Sequence, residues 1–151
     1  MKYSGSIVSA AAATAAPYAS FNAGSTRRVQ ICELGIFTRA ATPSNVFVGH
    51  PANEGTPPVA TGTVTPGPHD PADTAAALAR LAATWTTPPT QPTAPLYQFT
   101  LGAAVGAGFT RKFAPASSDC ITLGLSGWLT VFNPAAGATG SALDVYVEFD
   151  E

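Results

Sequence analysis

The chain has 151 residues and a formal net charge of −2, and charged side chains make up only 11% of it, less than half of the roughly 25% of an average soluble domain. One domain is expected at this length. Without a basic excess or a polybasic run, the main driving force for binding a phosphate backbone is missing, so nucleic acid is not expected as a partner. Two cysteines and two histidines supply no cluster for a structural zinc site.

The chain carries 29 Ala, 19 Thr, 14 Pro and 14 Gly against 31 Leu, Ile, Val and Phe. Those large apolar residues fill a modest core, and the surface is left to Ala, Thr, Ser, Pro and Gly. Such a surface has few charges to oppose association, which predicts that neighbours cover much of it. Five Arg against two Lys, with abundant Ala, Gly and Pro, also fit a high-GC codon bias; the two readings are compatible.

Residues 1–26 are expected to form an uncharged contact arm onto a neighbouring subunit, or a first strand. From Tyr3 to Thr26 no side chain is charged at neutral pH. Ile7, Val8, Tyr18 and Phe21 are its only sizeable anchors, the expected partner contacts, and Pro17 keeps its middle from becoming a helix. The segment has the outline of a secretory signal, but its apolar part is mostly Ala rather than Leu. A membrane span needs about 20 strongly apolar residues, and the serines and Pro17 interrupt this one.

Residues 27–151 are expected to form a single β-sandwich domain. Residues 27–38 read as a strand whose inward phase changes at Glu33–Leu34, predicting a bulge near Gly35. Residues 45–49 are a short strand. Residues 51–69 hold five Pro and three Gly and read as an extended loop, with a brief strand at 59–64. The one expected helix covers 70–85: Asp70 fits the N-cap, Pro71 the first turn, and Leu78, Leu81 and Trp85 make an i, i+3, i+7 stripe. Residues 86–95 are a Pro/Thr linker. Strands follow at 96–101, 109–113, 120–125 and 128–132, and the cleanest alternation closes the chain at 143–149. Strands at this spacing predict an all-β fold, a jelly-roll-like antiparallel sandwich with one short helix in a long connection; an immunoglobulin-like sandwich is the second choice.

Motifs for chemistry are sparse. Gly124-Leu125-Ser126-Gly127 has the wrong spacing for a nucleophile elbow and reads as a hairpin. Gly102, Gly106 and Gly108 lack the lysine of a phosphate loop. His50, near Glu54, and His69, near Asp70 and Asp73, read as loop histidines rather than acid–base or metal groups. Trp85 and Trp128 read as packing residues rather than a sugar platform. Cys32 and Cys120 are expected to stay reduced. No catalytic, cofactor-binding or metal-binding residues are expected, and no enzyme.

The uncharged Ala/Ser/Thr arm, RRVQICELGIFTRA at 27–40, NEGTPPVATGTVTPGP at 53–68 and DVYVEFDE at 144–151 together resemble the small virion structural proteins of tailed bacteriophages that infect high-GC bacteria. The likeness is to capsid-associated, decoration-type proteins with jelly-roll folds. It implies a non-enzymatic virion protein bound to the major capsid protein or another virion protein, as a homo-oligomer with a trimer favoured. A tail or fibre module and a carbohydrate-binding or adhesion sandwich are the alternatives.

Overall fold

A computed structural model describes residues 1–56, 63–74, 79–114 and 120–151. The described strands are, in order, β1 (Lys2–Val8), β2 (Ala16–Asn22), β3 (Val29–Thr38), β4 (Ser44–Gly49), β5 (Thr63–Val64), β6 (Gly67–Pro68), β7 (Arg80–Ala82), β8 (Tyr97–Leu101), β9 (Gly108–Lys112), β10 (Ile121–Leu123), β11 (Trp128–Asn133) and β12 (Leu143–Asp150). They pair antiparallel in two sheets that pack as a sandwich. Sheet A runs β10-β3-β12-β1-β6, with β9 sharing the edge of β3 that β10 uses. Sheet B runs β5-β7-β2-β11-β4-β8.

Alternation along the strands builds the core between the sheets. In β12, Leu143, Val145, Val147 and Phe149 are buried while Asp144 stays exposed, as period-two side-chain direction requires. Phe149 is the hinge of this packing. It stacks on Tyr3 of β1 with ring centroids 5.4 Å apart and tilts against Phe21 of β2 at 4.9 Å, so one ring joins three strands of both sheets.

The phase change in β3 is real, but its bulge sits at Cys32 rather than Gly35. Glu148 pairs with Glu33 and Phe149 with Ile31, leaving Cys32 as the extra residue. That insertion puts Leu34 and Ile36 on the same buried side as Val29 and Ile31.

The expected helix over 70–85 is not formed by the described residues, among which there is no helix. Asp70 does cap a turn: its side-chain carboxylate accepts from the Ala72 amide at 2.9 Å and its carbonyl from the Asp73 amide at 2.9 Å. Residues 75–78, Leu78 among them, lie outside the described residues, and Arg80–Ala82 is a strand. Leu81 pairs with Phe21 and is fully buried. A four-turn Ala-rich helix has only a weak intrinsic preference behind it, and burying Leu81 in the sheet outweighs that. Of the short strand expected at 59–64, Thr63–Val64 is present as β5, and 57–62 lie outside the described residues.

The first 26 residues are built into the sandwich itself. β1 pairs along its whole length with β12, from Lys2↔Asp150 to Val8↔Asp144. β2 lies between β7 and β11 at the centre of sheet B. Of the two expectations for this segment, the first-strand one describes its place in this chain. Deleting residues 1–24 therefore removes one strand from each sheet and uncovers Phe149. The truncated chain is expected to lose its cooperative thermal transition and its β-type circular dichroism; a truncated chain that melts like the full-length protein would contradict this fold.

Candidate functional site

The four expected contact residues divide. Ile7, Tyr18 and Phe21 are 8%, 1% and 4% exposed and belong to the core, whereas Val8 is 49% exposed on the outward side of β1. Three of the four anchors are thus occupied within their own domain, and Val8 alone looks outward.

The other candidates resolve into structural parts. His50 Nδ1 lies 2.9 Å from the Trp128 carbonyl, and the backbone N–H of His69 donates to the Lys2 carbonyl at 2.9 Å. Among the described residues no three His, Cys, Asp or Glu side chains converge on a metal position. Trp85 donates from Nε1 to Ser20 Oγ at 3.1 Å, on β2, and Trp128 is buried. Gly124 to Gly127 is the tight turn between β10 and β11, closed by the Gly127 amide on the Gly124 carbonyl at 2.9 Å.

Cys32 and Cys120 are both thiols. Ile121 pairs with Ile31, so continuing that register by one residue places Cys120 across from Cys32. The Cys32 Sγ donates to Asp150 Oδ2 at 3.2 Å. Burial, then the hydrogen bond and charge of Asp150, push its pKa up to about 11. A thiol that stays protonated is a poor nucleophile. At pH 8 Cys32 in the folded protein is expected to react with iodoacetamide at least about tenfold more slowly than in the unfolded chain. Asp150→Asn should raise that rate without fully restoring it, because burial is the larger cause. Equal rates before and after unfolding would contradict the site.

The two outer faces of the sandwich differ. On sheet B, every residue of β11 is buried, the outward Trp128, Thr130 and Phe132 included. The Pro/Thr segment contributes that cover: Pro92 and Pro95 lie directly over Gly49 of β4. Sheet A keeps an accessible outer face, on which cross-strand register aligns three rows. These are Val8–Asp144–Phe37–Gly108, Ser6–Tyr146–Gly35–Thr110 and Ser4–Glu148–Glu33–Lys112.

Two glycines shape this face. A Cβ at Gly35 would stand inside the Tyr146 ring, and a Cβ at Gly108 inside the Phe37 ring. Each aromatic therefore lies down across the glycine of the next strand, an arrangement in which a ring covers bare backbone. The two ring planes are nearly parallel, 8° apart with centroids at 6.3 Å. The Tyr146 hydroxyl donates to Glu33 Oε1, and Lys112 Nζ lies 3.3 Å from Glu33 Oε2. The Tyr146 hydrogen bond, followed by Lys112, holds the Glu33 carboxyl below its ordinary pKa. Burial and then Glu33 raise that of Tyr146. Beside the Tyr146 ring runs an open groove made of two depressions of about 430 and 460 Å³. Ser6, Val64 and Tyr146 line both, with Glu148 at one end and Asp144 and Val8 at the other. Sequence reasoning missed this face, since its signal is a pair of glycines opposite aromatics on other strands.

Gly35→Ala is expected to lift the Tyr146 ring off the sheet and cost about 1–3 kcal/mol in urea denaturation. Adding Tyr146→Ala should cancel part of that cost, because the two changes share one contact. Simple additivity would show that the ring does not lie on Gly35.

Among the described residues no helix is long and apolar enough to cross a membrane. The chain matches no family model, no curated protein and no solved structure with which it was compared.

Proposed function

We propose that this chain is a non-enzymatic virion structural protein with a jelly-roll fold that binds the phage capsid surface as a decoration or minor capsid protein. The strand order carries the reading. Taking β9 and β10 as one interrupted strand, the main strands follow β1-β12-β3-β9/β10 in one sheet and β2-β11-β4-β8 in the other. Successive main strands alternate between the sheets except at β4 to β8. That order supports reading the sandwich as the double Greek key of an eight-stranded jelly roll, an architecture common in viral shells. Strands β5, β6 and β7 are then short additions from the long connection.

The side of the sandwich where β8 and β9 end their sheets suits docking. Among the described residues nothing pairs with the outer edge of either strand. β8, Tyr97–Leu101, carries no charged side chain, which leaves its backbone an undefended template for another chain. Between these edges Tyr97, Phe99 and Phe109 are half-buried and pack together. The Arg111 guanidinium sits over Tyr97 at 5.0 Å and Phe113 at 5.7 Å. Aromatic residues and arginine are the side chains that dominate protein–protein interfaces. The partners on this reading are the major capsid protein and further copies of this chain, with a trimer favoured.

The test is occupancy on purified particles, measured by quantitative mass spectrometry after adding back purified protein. Gln98→Lys with Arg111→Ala places a charge on the β8 edge and removes the stacked guanidinium, both at exposed positions. Occupancy is expected to fall about tenfold or more with the melting temperature unchanged. Wild-type protein that does not bind particles at all would overturn the virion reading. Unchanged occupancy of the variant would overturn the docking edge.

A further inference from the structure

We propose that the outer face of sheet A is a binding site for an uncharged polysaccharide, with Tyr146 and Phe37 as its stacking platform and the groove along β1 as its continuation.

Three features select that ligand class. The first is flatness. Two nearly parallel rings, each lying on backbone because Gly35 and Gly108 leave room, present their π-faces on adjacent strands. Such a surface fits the flat C–H face of a pyranose, and two neighbouring rings fit successive sugars of a chain. It does not fit a quaternary ammonium group, which is held by a cage of rings around it.

The second is charge. The carboxylates of this face are Glu33, Asp144, Glu148 and, at its far end, Asp150. Glu33 is paired with Lys112, and Asp144 with Arg39 at 3.8 Å. The face is thus polar with two of its four carboxylates matched by cations, and Glu148 and Asp150, in no ion pair among the described residues, oppose phosphate and other anions. Paired carboxylates and the Ser4, Ser6 and Thr110 hydroxyls are donors and acceptors of the type that reads sugar hydroxyls.

The third is shape. The groove is open rather than deep, with a polar floor at Ser6 and an aliphatic wall at Val64. An apolar side-chain anchor would find no enclosed pocket there, whereas a chain running along β1 finds the Ser4 hydroxyl and Glu148 at one end, Ser6 in the middle, and Asp144 beside the exposed Val8 at the other. The site uses different side chains from the β8 and β9 edge cluster, so each proposal stands or falls by its own test.

The experiment is native affinity electrophoresis of the full chain in gels containing mixed-linkage β-glucan, xyloglucan, galactomannan or a neutral arabinogalactan, with alginate as the anionic contrast. At least one neutral polymer is expected to retard the protein. Calorimetry with a hexasaccharide of that polymer should then show Phe37→Ala weakening binding about tenfold or more. Ser6→Arg, which fills the exposed groove floor, should do the same, while Tyr146→Phe, which keeps the ring, retains binding. Thermal melts of each variant separate lost binding from lost fold. No retardation by any neutral polymer, retardation by alginate alone, or binding that survives both Phe37→Ala and Ser6→Arg in folded protein would overturn the proposal.

Discussion

The pairing of the last strand with the first is the constraint on which the rest of this molecule depends. β12 fills the gap between β1 and β3 along its whole length, and the terminal amino group lies 3.1 Å from the Glu151 carbonyl. Until both ends of the chain meet, the inward side chains of β12 have cover on one flank only. Closing that contact makes Phe149 the ring on which Tyr3 and Phe21 converge. It also sets the register that aligns the rows of the outer face. Sequence-distant pairing of this kind carries a large loop-closure cost, so a slow-folding domain is the physical expectation.

A second set of contacts ties the loops at one end of the sandwich. Asn133, fully buried at the end of β11, shares its two Nδ2 hydrogens among the carbonyls of Ala12, Ala13 and Ala138, at 3.0, 3.0 and 2.8 Å. One amide thereby satisfies backbone carbonyls in both the β1–β2 and β11–β12 connections, where an unmet buried acceptor would be costly. The prolines play a comparable part on sheet B, where chain without free N–H groups covers a face and exposes few new hydrogen-bonding edges. Low charge content and a high Pro, Thr and Ala content are therefore partly architectural.

The legible parts of the fold were those with a strong local period. β12 and β11 alternate or run apolar over their full lengths, and residues 27–38 announced both a strand and a change of phase. β1 was harder, because its inward positions are Tyr3, Gly5 and Ile7, and the glycine breaks the pattern. That glycine is where Leu81 of β7 packs closely, a fact no local window holds. The same Leu81 stands with Leu78 and Trp85 at helical spacing in the sequence, and its pairing in the sheet overrides that local pattern. The bulge sits away from the glycine for a related reason: the missing side chain of Gly35 makes room for Tyr146, and the register shift falls at Cys32. The aromatic face and the alignment of Cys120 with Cys32 both arise from register between distant strands, which single-sequence periodicity does not encode.

Residues 2–8 and 16–22 are integral strands rather than an appendage, and native-state hydrogen exchange measures this directly. Amides of β1 that bond to β12, and those of β2 that bond to β11, are predicted to exchange only through global unfolding, with the same opening free energy as the β3 amides paired with β12. Exchange of the β1 and β2 amides at rates near those of an unstructured peptide, beside a protected β3–β12 pair, would contradict the claim and return the segment to the role of an arm.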